Sequence, residues 1–424
     1  MKKQVIYVSL IAIIYAIIVS YIIGLRFSGV LLASFLIFFA YFKNIKNFDR
    51  NNFIIYSLIF LVDLVLVIYN SKYRNLPFTN IDWHNFDNFA KNLLLSSNGN
   101  IFKIFINAID LFTALVTIIY KFFGTNITMI YFYILPFSFI LSNYLYKIVY
   151  KITNDVKIAQ RYSLIILLYP ANFIFSLSVL REIPIQCLTI MSFYYFLSYL
   201  KDDKMTNLIK SLVFIFLATL MHSGMIGILI IYVYIIVQKK FYNEYKIFRP
   251  WILFITAVLM FGLSFTSLWQ PITKRFINID STSDVLKTVN YQNDYLIANT
   301  QYINNNSSSF FELILTVPYR MIMFSMSPFP WQIFNFSTLL SLLLDGVFRY
   351  YIVINCIIIF KNRHKFEHES KNIILIIALI LIISDFLFGL GCNNYGQAMR
   401  HRTKLLSFEL ILLSMKKRKD IYEK

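Results

Sequence analysis

The chain has 424 residues, 58% of them hydrophobic and only 14% charged. A water-soluble domain carries about 25% charged and 45–50% apolar residues, so the composition excludes an ordinary soluble protein and makes lipid the solvent for the surplus apolar surface. The formal charge of +19 lies mostly in short Lys/Arg clusters between apolar runs, a pattern of membrane topology signals rather than of nucleic-acid binding.

In chain order, apolar runs fall at about 4–23, 28–42, 53–70, 127–146, 162–179, 183–200, 206–221, 223–238, 251–269, 337–360, 372–390 and 403–415. The first follows Met1-Lys2-Lys3 and has no small-residue cleavage site, so it reads as an uncleaved span rather than a signal peptide. The expectation is an all-α fold: one polytopic transmembrane helix bundle over 1–424 with about 11–13 spans. Several runs are shorter than the ~20 residues of a straight crossing. Heavy use of Ile, Asn, Lys, Phe and Tyr suggests an AT-rich, bacterial genome.

With the N-terminus placed inside, the alternating inner segments hold 25 Lys and Arg and the outer ones 14, although the outer ones are longer. That bias puts both termini in the cytoplasm of a bacterial cytoplasmic (inner) membrane. Two long outer loops result, 71–126 and 270–336. Within the first, Ile101–Phe123 is apolar but interrupted by Lys103, Asp110 and Lys121, which predicts amphipathic helices on the membrane surface. The second opens with a polar stretch, Gln270–Ser309, and closes with Glu312–Met326, an interfacial or re-entrant helix. No internal repeat of the transporter kind is present. Cys187, Cys356 and Cys392 have no metal or disulfide spacing, and no metal or cofactor is expected.

Residues suited to chemistry collect in the outer loops. Asp82, Phe86 and Ala90 recur every four positions and share one helix face; Asp82 is there either an N-cap or a general base, with Asp87 nearby. Arg181 and Glu182 follow Tyr169-Pro170, as a turn-capping ion pair or with Arg181 clamping a phosphate. His222, in Met221-His222-Ser223-Gly224, is a turn residue or a proton shuttle. Arg400, His401, Arg402 and Lys404 put cations outside against the charge bias, which calls for headgroup anchoring or an anionic ligand; Arg320 adds another. Within spans, Asp63, Asp345, Arg349 and Asp385 need partners, and Asp345 with Arg349 (i, i+4) predicts a pair on one helix.

Asp82-x-x-x-Phe86-x-x-x-Ala90 resembles the first-loop signature of the GT-C membrane glycosyltransferases, with Trp83 where many members carry a second acid. Leu180-Arg181-Glu182 after Tyr169-Pro170, the His222-Ser223-Gly224 hairpin, Pro328-Phe329-Pro330-Trp331 and Gly396-x-Ala398-x-Arg400-His401-Arg402 resemble Wzy-type repeat-unit polymerases and EpsG-like proteins of bacterial surface-polysaccharide assembly. The resemblance spans most of 75–415. It implies a metal-independent glycosyltransferase joining polyprenyl-diphosphate-linked oligosaccharide repeats at the outer face. Asp82 or Asp87 would be the base. Arg181, Arg400, Arg402, His401 and Arg320 would hold the donor phosphates and stabilise the leaving group, with Glu182 and His222 beside them. Chain-length regulators or a flippase are the protein partners it implies. A single-sugar transferase, a lipid-linked oligosaccharide flippase and a membrane acyltransferase remain alternatives.

Overall fold

A computed structural model describes residues 50–73, 76, 82–242, 290, 300–302 and 307–416. Every regular element among them is helical, and the nearest approach to a strand is a single bridge between Gln301 and Asn394. The apolar runs at 4–23, 28–42 and 251–269, and most of Gln270–Ser309, lie outside the described residues.

Five described helices are long and apolar enough to cross a membrane: Ile54–Tyr73, Thr128–Thr153, Glu182–Asp202, Phe336–Lys361 and His368–Gly391. A sixth crossing is formed if Val156–Leu168 and Pro170–Ser176, which meet at a 62° bend, count as one span. The bend falls at Tyr169-Pro170, because proline lacks the N–H that would continue the ladder and disfavours helical backbone in the residue before it. Among the described residues, this is the architecture of a multi-pass helical membrane protein.

The last run departs from expectation. Residues 403–415 do not form one span: a helix over Tyr395–Thr403 ends, the chain turns at Lys404-Leu405, and Leu406–Met415 follows as a ten-residue helix. At about 1.5 Å per residue that is ~15 Å, half a bilayer core. All ten of its residues are buried, so protein surrounds it. The sequence reading failed here because a helix hydrophobic all round can be buried in protein or in lipid.

The described residues fall into two compact units, one from residues up to Tyr144 with Leu167–Cys187, the other from Leu145–Ile166 with Leu188 onward. In the first unit, α1 (Arg50–Tyr73) is followed by α2 (Asp82–Ser96), α3 (Ile101–Asn107) and α4 (Leu111–Phe123). The stretch 101–123 is thus two short helices, each capped by its own side chain: Asn100 accepts from the Lys103 N–H, and Asp110 from the Thr113 N–H. Neither is long enough to span. α3 leaves Phe102, Phe105 and Ile106 exposed, with Lys103 between them. α2 packs on α4 through Phe86, edge-on to Phe112 at 5.0 Å, and through Ala90, whose carbonyl accepts from the Thr117 hydroxyl at 3.4 Å. The Phe and Ala of the four-residue repeat therefore have a packing role, since only a small residue lets the crossing helix approach the backbone so closely.

In the second unit, α5 (Phe310–Met326) packs along α6 (His368–Gly391). Gly389 makes this close: a Cβ there would lie 3.3 Å from the Arg320 carbonyl oxygen. Small residues at such crossings let helices gain dispersion contact where lipid offers no hydrophobic drive. Ser309 caps α5, and the exposed Glu312 accepts from both the N–H and the hydroxyl of Ser308. Those donations hold the Glu312 carboxyl below the usual range.

The buried ions of this unit exchange the partners expected from spacing. Asp345 and Arg349 do not pair with each other. Arg349 makes a two-pronged contact with Glu409 (Nη2 to Oε1, 2.7 Å), and Asp345 meets Arg402 at 2.6 Å. A five-residue π turn, Leu342–Gly346, sits between the helix Phe336–Ser341 and the helix Val347–Lys361. It shifts Asp345 off the regular α register that an i, i+4 pair requires.

Candidate functional site

In the first unit, Asp82 is the first residue of α2; its side chain lies outside what the structure describes. Asp87, one turn on, is buried. It accepts from the Tyr120 hydroxyl at 2.6 Å and pairs with Lys91 at 2.7 Å. Arg181 donates to Asp110 and lies 5.6 Å from the centre of the Phe86 ring. Its described ionic partner is thus the α4 cap rather than the adjacent Glu182. Glu182 is buried at the first turn of the helix Glu182–Asp202.

Asp110 does two jobs, one oxygen capping α4 and the other meeting the guanidinium. Sequence reasoning treated it only as an interruption of an apolar run. The signal that would have found it is the cap itself, an Asp immediately before a periodic apolar helix. Asp110→Ala removes a cap worth about 1 kcal/mol and leaves a buried guanidinium without this partner. We expect a lower melting temperature and faster amide exchange over 111–123, with Asp110→Asn recovering the cap but not the ion pair.

In the second unit the structure brings together His222, His401 and Lys404 around Phe388. The His401 ring stacks on Phe388 with centroids 4.9 Å apart and planes 10° from parallel, and His222 approaches both rings, 5.5 Å from Phe388 and 4.9 Å from His401. Lys404 is fully buried, with Nζ 2.7 Å from His401 Nδ1 and 5.4 Å from the Phe388 ring centre. A Cβ on Gly224 would lie 2.4 Å from Phe388, so the hairpin must carry glycine there.

The predicted cations of this unit have different fates. Arg402 is 1% exposed; it meets Asp345 and donates to the Ser327 carbonyl at 2.5 Å. Arg349 likewise donates to the Ser325 carbonyl at 3.0 Å, and the Tyr350 hydroxyl to Pro328 O. These groups satisfy acceptors at and just past the C-terminal end of α5, where carbonyls lack intrahelical partners and the helix dipole favours cations. Arg402 is therefore in part a structural residue. Arg400 is half-buried on the same helix.

Arg320 differs. It is 2% exposed, its Nε donates to Thr316 Oγ1 at 3.2 Å, and its Nη1 has no hydrogen-bond partner among the described residues. Arg181, Arg349 and Arg402, the other buried arginines described, each meet a carboxylate, and Arg320 meets none among the described residues. Beside it, the Tyr302 phenol lies within electrostatic reach of both Arg320 and Arg402, yet burial dominates and pushes its pKa well above the ordinary value. Tyr395 stacks on Tyr302 with centroids 5.2 Å apart; burial pushes its phenol up to about 12, and its hydroxyl is buried with no described partner. Both phenols thus stay protonated; the Tyr302 hydroxyl donates to the Cys392 carbonyl at 3.3 Å, while that of Tyr395 has no described acceptor. Backbone bonds from Tyr302 to Asn393 and from Tyr395 to Thr300 hold the two rings together.

The intramembrane acids separate in the same way. Asp385 accepts from the Ser325 hydroxyl at 2.7 Å, whereas Asp63 on α1 is 2% exposed with Oδ1 unpartnered among the described residues. No group of three or more His, Cys, Asp or Glu capable of holding a metal ion occurs among the described residues. None of the three thiols is in a disulfide, and Cys187 and Cys392 are buried.

No family model, no curated protein and no solved structure matches the chain.

Proposed function

We propose that the chain is a membrane glycosyltransferase of the polysaccharide-polymerase type, acting at the outer face of the bacterial cytoplasmic membrane with both termini in the cytoplasm. Its substrates are polyprenyl-diphosphate-linked oligosaccharide repeats. An acceptor hydroxyl gives its proton to a carboxylate, Asp82 or Asp87. The hydroxyl oxygen forms the new bond to the anomeric carbon, and the bond from that carbon to the donor phosphate breaks. The electron pair leaves on the polyprenyl diphosphate.

Arg320 is the observation that carries this reading. A buried charge without a counter-ion costs several kcal/mol, and sequences keep such a charge inside a membrane protein chiefly for function. A planar guanidinium fork matches phosphate oxygens, and the protonated Tyr395 hydroxyl is a donor suited to the same anion. In a multi-pass membrane protein, an anion borne on a lipid tail can approach such a site laterally from the bilayer. Arg400, Arg402, His401 and His222 belong to the same unit and add positive or donor character; Arg181 with Glu182 belongs to the first unit. The exposed Phe102, Phe105 and Ile106 on α3, with Lys103, have the composition of a helix seated in the headgroup layer.

The test is ligand-dependent stability. Undecaprenyl diphosphate should raise the melting temperature of the purified protein, by about 2.7 kcal/mol of added stability at 100 times its Kd, and undecaprenol should not. Equal shifts with the two lipids would mean that the tail, not the diphosphate, is recognised, and would sink the proposal.

A further inference from the structure

The second unit has a cavity of about 370 Å³ at the end of α6 far from Arg320. The Arg320 carbonyl packs at Gly389, and Glu369, in the cavity wall, stands a membrane crossing away on the same helix, roughly 30 Å at 1.5 Å per residue. Three span ends meet there. The last turns of Thr128–Thr153 and Glu182–Asp202 bring Lys151 and Lys201, and the start of α6 brings Glu367 and Glu369. Each sign suits its helix end, because the helix dipole favours cations at a C-terminus and anions at an N-terminus. Convergence of the three ends puts two cations and two carboxylates around one space, with buried Ile152, Leu197, Ile373 and Ile376 completing the lining. All four charged side chains are exposed, and none has an ion-pair partner among the described residues. Lys151 lies within electrostatic reach of Glu369 yet donates to Ser198 Oγ at 3.2 Å, and Glu367 makes no side-chain cap bond to α6.

We infer that this cavity binds a phospholipid whose headgroup carries both a phosphate and a primary ammonium, at the membrane face opposite the Arg320 site. The phosphate takes the Lys151 and Lys201 ammoniums, which only donate, and the headgroup ammonium takes the Glu367 and Glu369 carboxylates, which only accept. A headgroup that is purely anionic satisfies the lysines and is repelled by the glutamates. A trimethylammonium has no hydrogen to donate and is held in proteins by aromatic cages; no aromatic side chain is among the described lining residues. Charges of both signs therefore select a primary amine. The ligand is a lipid rather than a soluble zwitterion because the cavity stands where three spans end, at headgroup level, and its isoleucines and leucine offer apolar surface to the glycerol and the first chain carbons. The site takes no part in the proposed transfer reaction, and the inference stands separately from it.

Three lipids with identical acyl chains test it: phosphatidylethanolamine, phosphatidylcholine and phosphatidylglycerol, each titrated into the detergent-solubilised full chain while the melting temperature is followed. Phosphatidylethanolamine should stabilise at roughly ten-fold lower concentration than either of the others, the weight of one charge-assisted hydrogen bond. Glu367→Gln with Glu369→Gln should invert the order in favour of phosphatidylglycerol, because the wall then keeps only its two lysines. Both substitutions are at exposed positions, so the ligand-free melting temperature should not move. Equal potency of the three lipids overturns the inference, as does a double variant that keeps the native order. Glycerophosphoethanolamine, which lacks the chains, should leave the melting temperature unchanged at the same concentrations; an equal shift would make the ligand a soluble zwitterion and overturn the lipid assignment. Should the double variant fail to fold, the native order of the three lipids decides alone. None of these readouts depends on glycan extension.

Discussion

Arg320→Met should abolish function without loss of stability. The guanidinium has no carboxylate partner among the described residues, so replacing it with an apolar side chain of similar length removes a desolvation cost instead of an ion pair. Only the Thr316 hydrogen bond is lost. The ligand-free melting temperature should stay level or rise, while glycan extension falls on the order of 10²–10³-fold, the usual cost of deleting a donor that stabilises developing charge. Ligand-free scanning fluorimetry and an extension assay read the two halves separately. A fall in ligand-free stability of several kcal/mol would show that Arg320 has a structural counter-charge and is not waiting for an anion.

Arg349→Met should do the opposite. Arg349 and Glu409 are 2% and 5% exposed and joined by two hydrogen bonds. Removing the arginine leaves Glu409 charged and buried and also strips the Ser325 carbonyl of its donor. Breaking such a pair from one side costs about 3–5 kcal/mol. The double change Arg349→Met with Glu409→Leu should recover most of that, because apolar side chains replace a buried pair at little net cost. If the double variant is no more stable than the single one, the energetic account of this pair is wrong.

The contrast between these arginines marks where sequence reasoning reaches its limit. Apolar runs located the long helices because 18 or more apolar residues in a row have few other fates. The proline after Tyr169 and the charges inside 101–123 warned of breaks at those places. Lys404 gave the same warning before the final helix and was read instead as one more outer cation. The partners of the buried ions were not legible. Asp345 and Arg349 sit four apart, and only the π turn redirects them to Arg402 and Glu409. Glu409 lies 60 residues from its partner, a separation no local pattern encodes. Of the candidate site residues, Arg320 drew the least attention in the sequence, as a single cation in an apolar helix. It gains weight only once the others are seen to be neutralised.

The most direct measurement is reconstitution. The purified protein is placed in vesicles with a polyprenyl-diphosphate-linked oligosaccharide, and the length of the lipid-linked glycan is followed together with release of free polyprenyl diphosphate. The proposed function predicts longer glycans, with one polyprenyl diphosphate released for each unit added, in the native protein but not in Arg320→Met. Movement of the substrate between leaflets at unchanged glycan length would contradict it and make the chain a transporter.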